Sequence, residues 1–62
     1  MTGEEIREFR FKYLLTQEQL ADLMDVSVPA VRSWEQGHRQ IKERNVRRLK
    51  RVEQSLIAEA EK

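Results

Sequence analysis

Residues 16–37 read TQEQLADLMDVSVPAVRSWEQG, and this stretch decides the fold. Thr16 and Gln19 have the spacing of a capping box, which predicts the start of a helix. The apolar pattern then breaks, and Ser27 is a favourable N-cap for a second helix. Pro29 falls in the first turn of that helix, where its missing N–H has no intrahelical partner to lose. The stretch therefore predicts two short helices joined by a tight turn.

The second helix of this pair is predicted to end at Gly37, a typical C-terminal stop, and to have two distinct sides. On a helical wheel, Val31, Trp34 and Glu35 fall on the side facing the core. Trp34 could stack on a nucleic-acid base, but its spacing from Val31 favours a position in the core. The opposite side holds Pro29, Ser33 and Gln36, with Arg32 flanking it and Val28 at the helix start.

Two further helices are predicted on either side of this stretch. One follows Thr2, which forms a capping box with Glu5, and the last runs from about 42 to about 60. The chain is expected to be one all-α domain over residues 1–62, a compact bundle of four helices with a long C-terminal helix. The apolar positions are Ile6, Phe9, Tyr13 and Leu14 in the first helix, Leu20, Ala21, Leu23 and Met24 in the second, and Val46, Leu49, Val52, Leu56 and Ala60 in the last.

The composition argues against an enzyme, a metal site or a cofactor. There is no Cys, and the single His, His38, is best explained as a solvated loop residue. Glu4, Glu5 and Glu8 could pass for a carboxylate cluster, but they suit the positive end of a helix. The sequence shows no nucleophile–base pair and no Gly-rich phosphate loop. We also expect no signal peptide and no membrane span, because neither pattern is found. We expect a soluble cytoplasmic protein, associated with the nucleoid.

Charge is distributed unevenly along the chain, although the net charge is only +1. Residues 38–51 carry seven Lys or Arg against one Glu, whereas residues 1–37 and 52–62 are each net acidic. A concentrated basic block beside a weakly charged body is expected of a surface that contacts phosphates. The alternative is an ordinary solvated helix face.

Residues 3–50 resemble the phage Cro/repressor and XRE-type helix-turn-helix family, which has the lambda-repressor-like fold. Asp25 stands where the family usually has a turn glycine, and one long final helix stands where the family usually has two short ones. The resemblance rests on Thr16-Gln17, Leu20-Ala21, Val26-Ser27, Val31 and Trp34-Glu35-Gln36-Gly37.

The resemblance implies sequence-specific binding of double-stranded DNA by a transcriptional regulator. We expect a repressor of phage, mobile-element or toxin–antitoxin type, with helix 28–36 in the major groove. Arg32 can donate to guanine, Ser33 is adaptable, and Val28 and Pro29 offer apolar contact to a thymine methyl group. An ordinary exposed helix face is the alternative. The expected base-contacting residues are Val28, Pro29, Arg32, Ser33 and Gln36.

The expected phosphate contacts are Gln17, Arg39, Lys42 and Arg44. Gln17 begins a helix beside unpaired backbone amides, and in similar family members this Gln anchors the sugar–phosphate backbone. It could instead be a simple exposed residue at a helix start. Arg39, Lys42 and Arg44 come directly after helix 28–36, the expected recognition helix. Arg47, Arg48 and Arg51 are weaker candidates for phosphate contacts.

Glu35 is expected to form an ion pair with Arg10. Glu35 lies in the last turn of its helix, where the helix dipole disfavours an anion. In similar family members an Arg and a Glu at these positions form a largely buried pair. Two independent surface charges are the alternative.

The end of the long last helix is expected to make a homodimer, since helix-turn-helix proteins generally bind two half-sites of a pseudo-palindromic operator. The expected dimerisation residues are Val52, Leu56, Ile57 and Ala60, which extend beyond what a three-helix body can cover. They could instead pack back on Phe9, Phe11 or Tyr13, or fray. The alternative function is a protein-interaction module, such as a toxin-binding one, that uses this helix and binds DNA only weakly. A purely structural helical bundle would need neither Thr16-Gln17 nor the basic block.

Overall fold

The computed structural model describes residues 1–61, which form four α-helices and no strand. This confirms the all-α, four-helix expectation. No helix among these residues combines the length and the apolar character that a bilayer crossing requires. The helices are α1 (Gly3–Lys12), α2 (Gln17–Met24), α3 (Val28–Gln36) and α4 (Glu43–Ala60).

The helices begin where the capping signals place them. Both capping boxes form: the hydroxyl of Thr2 accepts from the N–H of Glu5 at 3.1 Å, and that of Thr16 accepts from the N–H of Gln19 at 3.0 Å. Ser27 caps α3 in the same way, by accepting from the N–H of Ala30 at 3.2 Å. Each cap satisfies a backbone donor that the helix itself leaves unpaired.

Among residues 1–61, two non-glycine residues adopt the left-handed conformation. Asp25 has φ 57° at the C-terminus of α2, in the turn where the resembled family usually has a glycine. Leu14 has φ 56° and is 89% exposed, so its placement on the buried face of α1 was wrong. The reason is that α1 ends at Lys12, two residues before Leu14. Leu23 is also largely exposed, because α2 buries only the face formed by Leu20, Ala21 and Met24.

The core joins all four helices and one loop residue. Val31 and Trp34 are buried, as the helical wheel indicates. Ile41, the sole apolar residue between Gly37 and Val46, is also buried and was not anticipated. The buried apolar side chains are Ile6, Leu20, Ala21, Met24, Val31, Trp34, Ile41, Leu49 and Val52.

The start of α1 lies directly against the end of α3. A Cβ on Gly3 would lie 2.2 Å from the carbonyl oxygen of Trp34 and 2.7 Å from that of Glu35. Such a distance is far inside van der Waals contact, so only glycine fits here without a shift of the backbone.

The first half of the long helix α4 closes the core, and a hydrogen bond farther along connects α4 to the end of α1. The expectation that Val52 lies on an exposed strip was wrong: it is only 8% exposed, because it packs in the core. Leu56 is half-buried against the same core, whereas Ile57 and Ala60 are exposed. The hydroxyl of Tyr13 donates to Glu53 Oε2 at 2.7 Å, which raises the pKa of Tyr13.

Candidate nucleic-acid interface

Helix α3 is anchored along one side and exposed along the other. Val31, Trp34 and Glu35 are buried against the body of the domain. The opposite side therefore projects from the domain, with its side chains free to enter a groove. Of the expected base-contacting residues, Pro29, Arg32 and Gln36 are exposed, and Val28 and Ser33 are half-buried.

The first turn of α2 lies beside the first turns of α3. Gln17 from α2 and Val28 and Arg32 from α3 line one shallow concavity, together with Thr16. Residues that the sequence assigned separately to phosphate and base contacts thus share a surface. Both helices direct their N-termini, where backbone N–H groups lack intrahelical partners, towards this part of the molecule.

The side chain of Gln17 is held from within the protein. Its Nε2 donates to Glu35 Oε1 at 3.2 Å, and its side chain is only partly exposed. The Gln17 N–H lies in the first turn of α2 and is free of the helical ladder. Gln17 is therefore positioned to offer a phosphate its backbone N–H, with its amide group fixed beside it. The contact itself stays a prediction.

Glu35 is the centre of the polar network behind α3. Arg10 donates to both carboxylate oxygens, from Nε at 2.5 Å and from an Nη at 2.9 Å, and its other Nη donates to the carbonyl of Leu15 at 3.1 Å. Arg7 adds a longer contact of 3.7 Å to Glu35. Burial raises the pKa of Glu35, but the hydrogen bonds from Arg10 and Gln17 and the charges of Arg10 and Arg7 outweigh it, so the pKa lies below its ordinary value.

The loop after α3 presents the next basic residues. The carbonyl of Ser33 accepts from the N–H groups of His38, at 3.0 Å, and Arg39, at 3.4 Å, which folds the loop onto the end of α3. Buried Ile41 then pins the loop to the core. Arg39 and Lys42 flank this anchor and are exposed, so their cationic groups are held close to the recognition helix.

The N-terminus of α4 carries the last of the expected phosphate-contacting residues. Lys42 occupies the N-cap position without a side-chain hydrogen bond, so the first N–H groups of α4 are available to an anion. Arg44 is exposed in the first turn. Arg48, a weaker phosphate candidate, instead contacts the carbonyl of Met24 at 3.5 Å, at the other end of α2 from Gln17. Glu43 also lies in the first turn and contacts Arg47 at 3.8 Å.

The expected dimerisation residues are not part of this surface. Leu56, Ile57 and Ala60 lie in the last turns of α4, about 20–25 Å along the helix axis from its N-terminus. Their role in dimerisation stays a prediction. Among residues 1–61 no group of three His, Asp or Glu side chains is arranged to hold a metal ion.

Three features that position the site were not predicted from the sequence. They are the Gln17–Glu35 hydrogen bond, the Arg7–Glu35 contact and the burial of Ile41. Ile41 had a detectable signal, because it is a lone apolar residue inside a basic block. The contacts of Gln17 and Arg7 with Glu35 had no such signal, because they join side chains from three different helices.

Comparison with known proteins gave one match. A family described as Helix-turn-helix matches residues 5–52, which span α1 to the first half of α4 and include every expected DNA-contacting residue. Comparisons with curated proteins and with solved structures gave no significant match.

Proposed function

The chain belongs to the XRE-type helix-turn-helix family of DNA-binding transcription regulators, and from this membership we propose that it binds duplex DNA sequence-specifically and represses a promoter. The observation that carries the proposal is the anchoring of α3 along one side only. Val31, Trp34 and Glu35 fix one side in the body, and the other side is left exposed. A rigid, projecting helix is what insertion into the major groove requires.

The exposed side of α3 has the chemistry to distinguish bases. Arg32 offers a planar fork of donors that matches the O6 and N7 acceptors of guanine. Gln36 can pair with adenine in a similar bidentate way, and Ser33 can donate or accept. Val28 and Pro29, in the first turn, supply apolar contact for a thymine methyl group. This division makes Arg32 the strongest single determinant of sequence preference.

Phosphate contacts on both sides of α3 would set its depth and orientation in the groove. Gln17 holds one flank, and Arg39, Lys42 and Arg44 hold the other. Such contacts position the protein without reading sequence. They also make binding dependent on salt, because each neutralised phosphate releases counterions.

We assign the DNA-bound form to a homodimer on a pseudo-palindromic operator, since one recognition helix covers only a few base pairs. Occupation of promoter DNA by such a dimer is enough to block transcription. The expected setting is a phage, a mobile element or a toxin–antitoxin operon, and in the last case a toxin is a further partner. The site of action is the nucleoid.

Footprinting on random or genomic duplex fragments tests the proposal, followed by affinity measurements at several salt concentrations. With three cations per subunit on phosphates, a dimer should give a slope of log K against log[salt] of about −5. Protection of a defined sequence supports specific binding. Weak attraction to every fragment, with no protected site at low salt, contradicts it and favours the protein-interaction alternative.

A further inference from the structure

A groove lies between the C-terminal end of α2 and the C-terminal half of α4. Its volume is about 400 Å³, and its apolar lining comes from Leu23, Met24, Val52 and Leu56. Leu23 is 48% exposed at the edge of this groove, although the rest of its helix follows a regular amphipathic pattern. The half-exposed Leu23 and the apolar groove together form a surface that another molecule could cover, and the neighbouring charges bear on which molecule that is.

The charges on α4 indicate what that molecule is. From Glu43 to Arg51 the helix carries five Lys or Arg and one Glu, whereas from Val52 to Glu61 it carries three Glu and no cation. This order opposes the helix dipole, which favours anions at the N-terminus and cations at the C-terminus. The basic half is explained by phosphate binding. In the acidic half, Glu53 contacts Tyr13 and Lys12 at the end of α1. Glu59 has no such contact, and neither Glu59 nor Arg51 takes part in an ion pair among residues 1–61.

We infer that the α2–α4 groove is the homodimer interface and that it receives a second copy of this chain, with the two α4 helices antiparallel and the two-fold axis near Ser55. An antiparallel arrangement places the acidic half of each α4 against the basic half of the other. Arg51 and Glu59 both line the groove, and each lies four residues from Ser55. A two-fold axis at Ser55 therefore pairs Arg51 of each copy with Glu59 of the other.

The middle of the groove suits this arrangement. Ser55 is small enough for two helices to approach closely at the crossing point. Leu23 from α2 and Leu56 from α4 both line the groove and are covered when the two grooves meet. The inference rests on the proposed function for the dimeric state of the chain. It also reduces the set of expected dimerisation residues, because Leu56 belongs to the interface, whereas exposed Ile57 lies outside the groove.

Charge reversal tests the pairing directly, with sedimentation equilibrium of the full chain as the measurement. Arg51→Glu and Glu59→Arg should each raise the dimer dissociation constant at least about tenfold, because each creates two like-charge contacts by symmetry. The double variant Arg51→Glu/Glu59→Arg should return it to within about threefold of wild type. Additive losses in the double variant overturn the pairing.

A second pair of variants tests the groove itself. Leu23→Asp should dissociate the dimer, whereas the matched control Ile57→Asp, 38% exposed and outside the groove, should not. Dissociation by Ile57→Asp alone overturns the α2–α4 interface. A wild-type chain that stays monomeric at high micromolar concentration, free and on DNA, also overturns it while leaving DNA binding intact. A dimer that responds to these variants but protects no duplex supports the interface and contradicts the proposed function.

Discussion

Arg10 and Glu35, 25 residues apart in the chain, form a bidentate ion pair behind the recognition helix. The Arg10 side chain is 12% exposed and that of Glu35 only 2%. Because Arg10 also donates to the carbonyl of Leu15, this one guanidinium joins α1, the turn before α2 and the end of α3. Gln17 completes the link to the first turn of α2. The network therefore links α1 and α2 to α3, the proposed recognition helix.

Breaking this ion pair should be far more costly than breaking a surface pair. Arg10→Met or Glu35→Leu alone should lower the free energy of unfolding by about 3–5 kcal/mol, since each leaves a buried charge without its bidentate partner. The double variant should lose less than the sum of the two. Glu43 and Arg47, both highly exposed, provide the control cycle, with an expected coupling of about 0.3–0.5 kcal/mol. Urea unfolding of both cycles measures the difference, and equal coupling energies would contradict a structural role for Arg10 and Glu35.

The same carboxylate should make the stability depend on acid pH. The pKa of Glu35 is lowered from 4.5 in the folded chain, so its stabilising effect is fully present above that value. The effect is lost as the pH falls through the folded pKa, because the unfolded chain then binds a proton more readily. The free energy of unfolding of wild type, relative to Arg10→Met/Glu35→Leu, should thus decline below pH 4.5. A difference that stays constant down to strongly acid pH would show that Glu35 has no depressed pKa.

The ion pair also shows how much of the fold was accessible from sequence. Local signals, such as the capping boxes at Thr2 and Thr16, predicted the helix starts because they act over three residues. Apolar spacing was less reliable at helix ends. Leu14 was placed on a buried face because apolar spacing does not show where its own helix ends. Val52 was placed on an exposed strip because its burial depends on how the other helices pack against α4. The resemblance, rather than spacing, identified Arg10 as the partner of Glu35.

Gly3 should tolerate no side chain. In Gly3→Ala the new Cβ would overlap the carbonyl oxygens of Trp34 and Glu35, which are backbone atoms and cannot rotate away. We expect a loss of about 1–3 kcal/mol in the free energy of unfolding, as for other overpacked sites. Glu4→Ala, at an exposed neighbouring position, is the control and should have little effect. Thermal or urea unfolding checks both, and unchanged stability in Gly3→Ala would show that α1 can shift freely from α3.

Leu14 should be replaceable by glycine with a gain in stability. Its left-handed conformation costs an L-residue roughly 1–2 kcal/mol, and its exposed side chain contributes little packing. Leu14→Gly removes that cost but adds about 0.5–1 kcal/mol of chain entropy, so the expected net gain is at most about 1.5 kcal/mol. Leu14→Ala keeps the strained conformation and should be neutral. Destabilisation by both variants would mean that the leucine side chain makes a contact of its own.

Arg32 and Arg44 should affect DNA binding in different ways. Both are exposed, but Arg32 projects from α3, whereas Arg44 lies in the first turn of α4 beside its free N–H groups. Arg32→Ala should cost about 1–3 kcal/mol at the specific site and relax the preference at one base pair. Arg44→Ala should weaken binding to all sequences about equally and reduce the salt slope by about 1 per subunit. Affinities measured for the operator and for single-base variants distinguish the two. If Arg32→Ala instead lowers all affinities by the same factor, Arg32 contacts phosphate, and another residue of α3 reads that base pair.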